Sequence, residues 1–250
     1  ADGFESGNLS AWSANRSDGG DLSVSPAAAL VGSNGLQAVI DDSLAIYTDS
    51  TSAAERRYRV RFYFDPNSIT MANGDNHYLF YGYSGSFTAV LRVQLSFANN
   101  SYQLRAALRD DGNTWRNSSW ATLSDAPHVV ELDWQAATAP GANDGALSVW
   151  LDGVQHAEIT GVDNDTRRID RVRLGAVAGI DSGTGGVYYF DAFESRRQSY
   201  IGAAPGAQAP PPSLSPADPA ALHIWTEEEA VPEEEMEPFP QGLYLPLLSR

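Results

Sequence analysis

Short segments in which apolar and polar residues alternate run through most of this sequence, and they restrict the fold more than any other feature. Apolar side chains fall at every second position between residues 57 and 64, and again at 89–97 and 102–108. A period of two places one side of a segment in a core and the other side on a surface, as in an antiparallel strand. No helical periodicity persists before residue 197. The sequence therefore predicts an all-β region from about Phe4 to Arg197.

Turn signals divide this region into many short strands. Asn99-Asn100 separates two alternating runs, and Asp152-Gly153 joins two others, which is the pattern of tight β-hairpins. Further strands are predicted at 36–41, 44–48, 76–84, 128–135, 145–151, 153–159, 169–177 and 186–194. A dozen or so strands are too many for one open sheet and suit two packed antiparallel sheets.

The charged residues exclude several classes of function. All 16 basic residues are Arg, against 32 acidic residues, and the chain contains neither Lys nor Cys. Disulfides, thiolate metal sites, Schiff-base lysines and a P-loop lysine are therefore excluded. A net charge of −16 argues against nucleic acid as a partner. No run of about 20 apolar residues is present, so we expect no membrane insertion.

The beginning of the chain suggests export. The first residue is Ala, and no basic segment followed by an apolar one comes after it. This is how a chain looks once a signal peptide has been removed. We therefore expect a secreted protein, extracellular or at the cell surface.

The composition changes abruptly after residue 200. We expect a β-sandwich domain over 1–200, a Pro/Ala-rich linker over 201–222 and an acidic tail over 223–250, with seven Glu between Glu227 and Glu237. The tail ends in an apolar segment with the character of an unpaired strand, which could add to an open sheet edge of another copy. Its apolar residues are Leu243, Tyr244, Leu245, Leu247 and Leu248.

Two stretches resemble a known fold family. Residues 128–194, with "HVVELDW" and "GALSVWLDG", resemble the second half of the concanavalin A-like/laminin G-like jelly roll. The opening "DGFESGNLSAWS" resembles the start of bacterial jelly-roll adhesion and carbohydrate-binding modules. The resemblance implies a two-sheet antiparallel jelly-roll sandwich, a fold that hosts lectins, glycosidases, adhesion modules and structural domains alike. The terminal "LYLPLLSR" resembles the YLPL-type ends of exported proteins from Chloroflexota-like bacteria.

The same resemblance implies a metal site. It makes the first and last strands neighbours, and in many jelly-roll modules carboxylates of these strands hold one structural calcium ion together with loop carbonyls. Glu5 and Asp191 are the corresponding residues here, and their hard oxygen ligands suit calcium. The alternative is that Asp2 and Glu5 cap a solvated edge.

A carbohydrate site is the second candidate. Trp115 and Trp120 flank a polar loop, and exposed indole rings are surfaces on which sugars stack. Arg92, Gln94 and Arg105 are predicted to share one outer sheet face and to supply hydrogen-bond donors for hydroxyl groups. The alternative is that one or both tryptophans cover an open end of the sandwich.

Catalysis has weaker support. A glycosidase needs two carboxylates about 5 to 9.5 Å apart, and Glu131 and Asp133 match only part of the related pattern, since Ala136 stands at the third acidic position. Both acids alternate with apolar residues and are expected on a solvent face. The four histidines lack metal-ligand spacing, and no Ser-His-Asp set is evident. We therefore expect the chain not to be an enzyme.

Five glycosylation sequons fall at predicted turns or strand ends and would fit a surface location. They start at Asn8, Asn15, Asn99, Asn117 and Asn164.

Three functions follow, in order of preference. The first is a non-catalytic extracellular structural subunit that self-assembles into a fibre or surface matrix, with its tail docked on a neighbouring copy. The alternative is a carbohydrate-binding or adhesion module with a polysaccharide partner, and a glycosidase is third.

Overall fold

The computed structural model describes residues 1–85 and 87–204, and these residues form fifteen β-strands. The strands are β1 (Ala14–Arg16), β2 (Leu22–Ser25), β3 (Gly35–Ile40), β4 (Ile46–Glu55), β5 (Arg57–Asp65), β6 (Asn76–Ser84), β7 (Thr88–Ala98), β8 (Ser101–Arg109), β9 (Trp115–Asn117), β10 (Ala121–Leu123), β11 (His128–Gln135), β12 (Gly145–Leu151), β13 (Val154–Val162), β14 (Ile169–Ala178) and β15 (Gly186–Arg196).

The strands form two antiparallel sheets that pack face to face. The eight-stranded sheet has the order β1-β4-β14-β6-β7-β8-β10, with β9 also pairing with β8. The seven-stranded sheet has the order β13-β12-β11-β5-β15-β3-β2. Helical structure in the described residues consists of two single 3₁₀ turns, Asp18–Gly20 and Pro26–Ala28. The predicted all-β two-sheet sandwich is confirmed.

Both predicted hairpins form at the expected residues. Asn99 and Asn100 have φ values of 54° and 61° and connect β7 to β8. Asp152 and Gly153 have φ values of 54° and 78° and connect β12 to β13. Two consecutive left-handed residues match the right-handed twist of the flanking strands, which is why Asn, Asp and Gly stand at these positions.

The core lies between the sheets and is filled by the apolar half of each alternating strand. Phe62 of β5 and Phe80 of β6 stack across the interface with ring centroids 5.9 Å apart. Burial of each large aromatic side chain stabilises the fold by about 2–3 kcal/mol. Further fully buried side chains are those of Phe4, Leu36, Tyr58, Phe64, Trp134, Tyr188 and Phe190.

One outer face departs from the alternating pattern, because the chain crosses it after the last strand. Ile201 and Gly202 donate their backbone N–H groups to the Glu131 carboxylate, both at 2.9 Å, and Gly202 accepts a hydrogen bond from Arg61. Glu131 and Asp133 are buried and pair with Arg59 at 3.4 and 2.7 Å. The expectation that these two acids decorate a solvent face is therefore wrong, because the backbone of Ile201 and Gly202 covers Glu131 and two arginine side chains pair with Asp133.

The covering segment includes the start of the predicted linker. Residues 201–204 pack on the seven-stranded sheet, where the Ala204 N–H donates to the Tyr63 hydroxyl. The rest of the predicted linker, the acidic tail and the proposed docking strand, with Leu243, Tyr244, Leu245, Leu247 and Leu248, lie outside the described residues.

A buried histidine gives the core a dependence on pH. His77 is fully buried and stacks on Tyr188, with ring centroids 5.8 Å apart. Neither ring nitrogen has a hydrogen-bond partner among the described residues. Burial lowers the pKa of His77 to about 4 from its usual 6.5, since a charged imidazolium would be desolvated there.

This lowered pKa predicts acid destabilisation. As pH falls below 6.5, the unfolded chain binds a proton that the folded chain does not accept until about pH 4, so the His77 contribution to stability falls by up to about 3 kcal/mol. His77→Leu should flatten the free energy of unfolding between pH 7 and 4, measured in urea. His156→Leu, at an exposed histidine, is the control and should keep the wild-type slope. Equal slopes in the wild type and His77→Leu would contradict this assignment.

Candidate functional site

The outer face of the eight-stranded sheet carries arginine and aromatic side chains. On β7 the apolar Val93 and Leu95 are fully buried in the core, so the alternate Arg92 and Gln94 lie on the outer face, where Arg92 is partly exposed and Gln94 is buried beneath its neighbours. Arg105 on β8 lies opposite Gln94 and shares this face. The period of two therefore places hydrogen-bond donors of neighbouring strands on the same face of the sheet.

Strand register aligns six residues in a row across this face. Adjacent strands lie about 4.8 Å apart, so the row is roughly 24 Å long. Its members, from β4 to β9, are Asp49, Arg173, Tyr81, Arg92, Ala107 and Asn117. A surface of this length can contact several units of an extended polymer.

The five residues that the sequence indicated as a carbohydrate site come together on this face. The guanidinium carbon of Arg92 lies 4.1 Å from the ring centroid of Trp115, and that of Arg105 lies 4.3 Å from Trp120. Arg105 Nε donates a hydrogen bond to Gln94 Oε1 at 2.9 Å. Both indole rings are half-buried. We call these five residues the tryptophan–arginine cluster.

The tryptophan–arginine cluster is positively charged. Within residues 1–85 and 87–204, no carboxylate lies within ion-pair distance of Arg92 or Arg105. Arg92 instead donates to the Tyr78 hydroxyl and to Asn117 Oδ1, both at 3.1 Å. Burial and the neighbouring charge of Arg92 lower the pKa of Arg105. Two like charges are thus held side by side.

A second group on the same face was missed in the sequence analysis. Asp49 is buried and accepts hydrogen bonds from Arg171 and Arg173, each at 2.9 Å. The Arg173 guanidinium also lies 4.0 Å from the Tyr47 ring centroid. We call these four residues the Asp49 cluster. Its parts are more than 120 residues apart in sequence, so no local pattern could have indicated the pairing.

Three tyrosines of β6 connect the two clusters. Ring centroids are 5.0 Å apart for Tyr78 and Tyr81, and 5.5 Å apart for Tyr81 and Tyr83. Burial raises the pKa of Tyr81, and the neighbouring phenols add to the shift. A register shift between Tyr78 and Phe80 changes the phase of the strand, which brings all three rings to the outer face. Simple alternation does not place all three on one face, so the sequence pattern alone does not predict this group.

The predicted metal ligands lie around one loop. Asp191 Oδ2 accepts N–H groups of Leu30 and Val31 at 2.9 and 2.8 Å, and Glu5 Oε1 accepts those of Ser33 and Asn34. Burial raises the pKa of Asp191 to about 6, and the charge of Glu5 adds to the shift. In the described residues neither carboxylate forms an ion pair with a basic side chain. Carboxylate oxygens are the hard ligands that Ca²⁺ prefers, but both Asp191 oxygens and Glu5 Oε1 accept backbone N–H groups here.

The position of Glu5 differs from the expectation in one respect. Glu5 lies in a turn rather than in a first strand. The chain start nevertheless neighbours the last strand, since the Asp2 N–H donates to the Phe193 carbonyl at 2.8 Å. Asp2 itself accepts hydrogen bonds from the Phe4 N–H and Trp12 Nε1. Asp2 therefore caps the turn that contains Glu5.

Four of the five predicted glycosylation residues are exposed and one is not. The exposed ones are Asn8, Asn15, Asn99 and Asn117. Asn164 is fully buried, its Oδ1 accepts the Ala137 N–H at 2.7 Å, and its amide donates to the Gln135 carbonyl. Asn164 is therefore not accessible to a glycan in the folded protein.

The fold brings a serine, a histidine and an aspartate together in the order of a Ser-His-Asp set, although no such set is evident from the sequence. His128 Nε2 lies 2.9 Å from Ser124 Oγ, and Nδ1 lies 2.7 Å from Asp152 Oδ2. The same Nε2 also accepts the Ser124 backbone N–H, and Asp152 Oδ1 accepts the Val129 N–H. These contacts tie the turn before β11 to the β12–β13 hairpin. The set therefore holds two turns together.

Comparisons with known proteins show the fold. No protein-family model matches the sequence, and no curated protein matches it. An endo-β-1,4-glucuronan lyase from the fungus Trichoderma reesei superposes with a TM-score of 0.56 at 15% identity, over 77% of this chain and 93% of that one. The cellulose-induced protein Cip1 gives 0.56 at 20% identity, over 81% and 99%. An alginate lyase variant with a bound alginate trisaccharide gives 0.54 at 11% identity, over 77% and 97%.

These structures share the two-sheet jelly-roll sandwich fold of this chain, and the predicted fold is confirmed. They contradict the prediction of a non-catalytic fibre subunit, because neighbours with this fold are polysaccharide lyases. The prediction that the chain is not an enzyme is contradicted on the same ground. In the part of the chain that the structure describes, no helix is long and apolar enough to cross a membrane.

The Asp49 cluster generates a stability prediction. Asp49→Asn removes a buried negative charge that two guanidinium groups share, so it should lower the free energy of unfolding by about 3 kcal/mol, measured in urea. Glu158→Gln, at an exposed carboxylate of β13, should change it by less than about 0.5 kcal/mol. A loss for Asp49→Asn as small as that of the control would mean that the two ion pairs contribute little.

Proposed function

We propose that this protein binds a polysaccharide on the outer face of the eight-stranded sheet. The observation that carries the proposal is the tryptophan–arginine cluster, in which two half-buried indole rings and two arginines share one surface. Indole rings cover the apolar faces of sugar rings, and guanidinium groups donate hydrogen bonds to their oxygens. The fold neighbours whose names refer to glucuronan, alginate and cellulose support this class of ligand.

The extent of the face supports a polymer rather than a single sugar. Tyr81 continues the row from Arg92 of the tryptophan–arginine cluster to Arg173 of the Asp49 cluster. Phe87 adds an exposed ring beside Arg171 and Arg173, at 4.9 and 5.0 Å from their guanidinium carbons. Aromatic rings thus lie at both ends of the row, and an extended chain can contact both.

Cleavage of the bound polymer is the second candidate. The observation that favours it is the hydrogen bond from Arg92 to the Tyr78 hydroxyl, because a phenol oxygen beside a guanidinium is placed to take or give a proton. The lyases among the fold neighbours support testing this activity. Incubation with a polyuronate should release unsaturated ends that absorb ultraviolet light, and Tyr78→Phe should abolish the release. A stable polymer length would exclude cleavage of that substrate.

The tryptophans test the binding proposal. Trp115→Ala and Trp120→Ala should each weaken retention on a polysaccharide in affinity electrophoresis by about tenfold, since a stacked ring contributes about 1.5 kcal/mol. Trp150→Ala is the matched control, because this tryptophan lies on the outer face of the other sheet beside Tyr200. If none of a panel of neutral and acidic polysaccharides retains the wild type, the proposed function is wrong.

We also propose that the protein works outside the cell and holds one structural Ca²⁺ at Glu5 and Asp191. Both carboxylates bind the loop of residues 30–34, so an ion there would stabilise the contact between the chain start and β15. Extracellular calcium is plentiful enough to fill such a site.

Calcium should therefore raise the melting temperature. At a hundredfold excess over the dissociation constant, the expected rise is about 5–10 °C. Asp191→Asn and Glu5→Gln should each abolish it, whereas Asp41→Asn, at an exposed carboxylate, should leave it unchanged. An identical melting temperature with calcium and with EDTA would end the proposal.

A further inference from the structure

The arginines on the two outer faces differ in how their charge is compensated. On the seven-stranded sheet, Arg57 and Arg59 each lie 2.7 Å from Asp133. On the eight-stranded sheet, Arg171 and Arg173 share Asp49. Arg92 and Arg105 differ from these four arginines, since no carboxylate of the described residues pairs with either. Arg109, at the end of the same strand as Arg105, also has no carboxylate partner there and donates to the Asn113 carbonyl instead. This is unexpected in a chain whose net charge is −16.

The lack of a partner has an energetic cost at these positions. Both guanidinium groups are partly buried and lie over indole rings, which removes water from one side of each. Arg105 is a diagonal neighbour of Arg92 on the adjacent strand, since Arg92 lies opposite Ala107. Diagonal neighbours are about 7–8 Å apart, so the two charges repel. A bound anion would remove both costs.

The remaining hydrogen-bond donors fit a carboxylate. Arg105 uses Nε toward Gln94, and neither of its terminal amino groups has a protein acceptor in the described part of the chain. Two parallel N–H groups of a guanidinium match the two oxygens of a carboxylate. Arg92 directs its two terminal groups at Tyr78 and Asn117, so it contributes mainly charge.

We infer that the tryptophan–arginine cluster binds the carboxylate of a uronic acid unit, and that the polymer recognised on this face is an acidic polysaccharide. The inference rests on the proposed function and specifies its ligand. Arg105 holds the carboxylate, Arg92 adds a second positive charge, and Trp115 and Trp120 contact the sugar rings on either side. In the Asp49 cluster one carboxylate pairs with both guanidinium groups, so its positive charge is partly compensated within the protein, and we assign it a sugar unit contacted through its aromatic rings.

A pair of ligands that differ only in the carboxyl group tests this inference. Affinity of the full chain is measured for a polyuronate and for the same polymer after reduction of its carboxyl groups to alcohols. The wild type should bind the polyuronate at least about tenfold more tightly, and added salt should weaken only that interaction. Arg105→Gln and Arg92→Gln should each remove most of the difference. Arg116→Gln is the control, because Arg116 is largely exposed and pairs with Asp110.

The outcomes separate this inference from the proposed function. Equal binding of both polymers, unchanged in Arg105→Gln but weakened in Trp115→Ala, would overturn the acidic ligand and leave polysaccharide binding intact. Equal binding of a sulfated neutral polysaccharide and the polyuronate would overturn selection of the carboxylate. Binding of neither polymer by a folded wild type, with no effect of the tryptophan variants on any ligand, would overturn both.

Discussion

The alternation of side chains along paired strands is the constraint on which the rest of this structure depends. Each strand gives half of its side chains to one core, so the other half is fixed on an outer face with little freedom of choice. Val93 cannot lie in the core unless Arg92 and Gln94 lie outside. The packing of apolar residues thus determines which polar residues meet across neighbouring strands, and the candidate site is a consequence of how the core is filled.

The two outer faces use this constraint in different ways. On the seven-stranded sheet, Arg59, Glu131 and Asp133 form a buried ion network, and the backbone of Ile201 and Gly202 completes it. Burial of such charges is tolerated because each one is paired and hydrogen-bonded. On the eight-stranded sheet, the described chain places no covering segment over Arg92 and Arg105. One face is therefore covered by the protein itself, whereas the aromatic rings and guanidinium groups of the other face are left partly exposed.

Much of the fold could be predicted from sequence, because its signals are local. Asn99-Asn100 and Asp152-Gly153 fix two hairpins within a few residues, and alternation fixes the faces of β7 and β8. This local information sufficed to group Arg92, Gln94 and Arg105. The partners of Asp49 come from β14, more than 120 residues away, and only sheet order reveals them. The bulge in β6 could not be predicted either. One extra residue in the strand moves the side chains that follow it to the opposite face from the one that alternation predicts. Glu131 is covered by the backbone of Ile201 and Gly202, which are 70 and 71 residues away in sequence. Alternation within β11 does not show this contact, which is why Glu131 was expected on a solvent face.

Charge compensation, rather than the number of arginines, distinguishes the face proposed to bind a polysaccharide from the face that the protein itself covers. Arg173 and Arg92 lie in the same row, separated by Tyr81, and both are stacked on aromatic rings. Asp49 supplies a counter-charge from the neighbouring strand, which Arg173 shares with Arg171, so the positive charge in that part of the row is partly compensated within the protein. No equivalent carboxylate of the described residues serves Arg92. A folded domain has many acidic residues that can pair with a partly buried guanidinium. A face on which two guanidinium groups lie side by side without such a partner keeps a positive potential, which attracts an external anion. The aromatic rings around them add a preference for a ligand that also has apolar faces, and a uronic acid unit combines both properties.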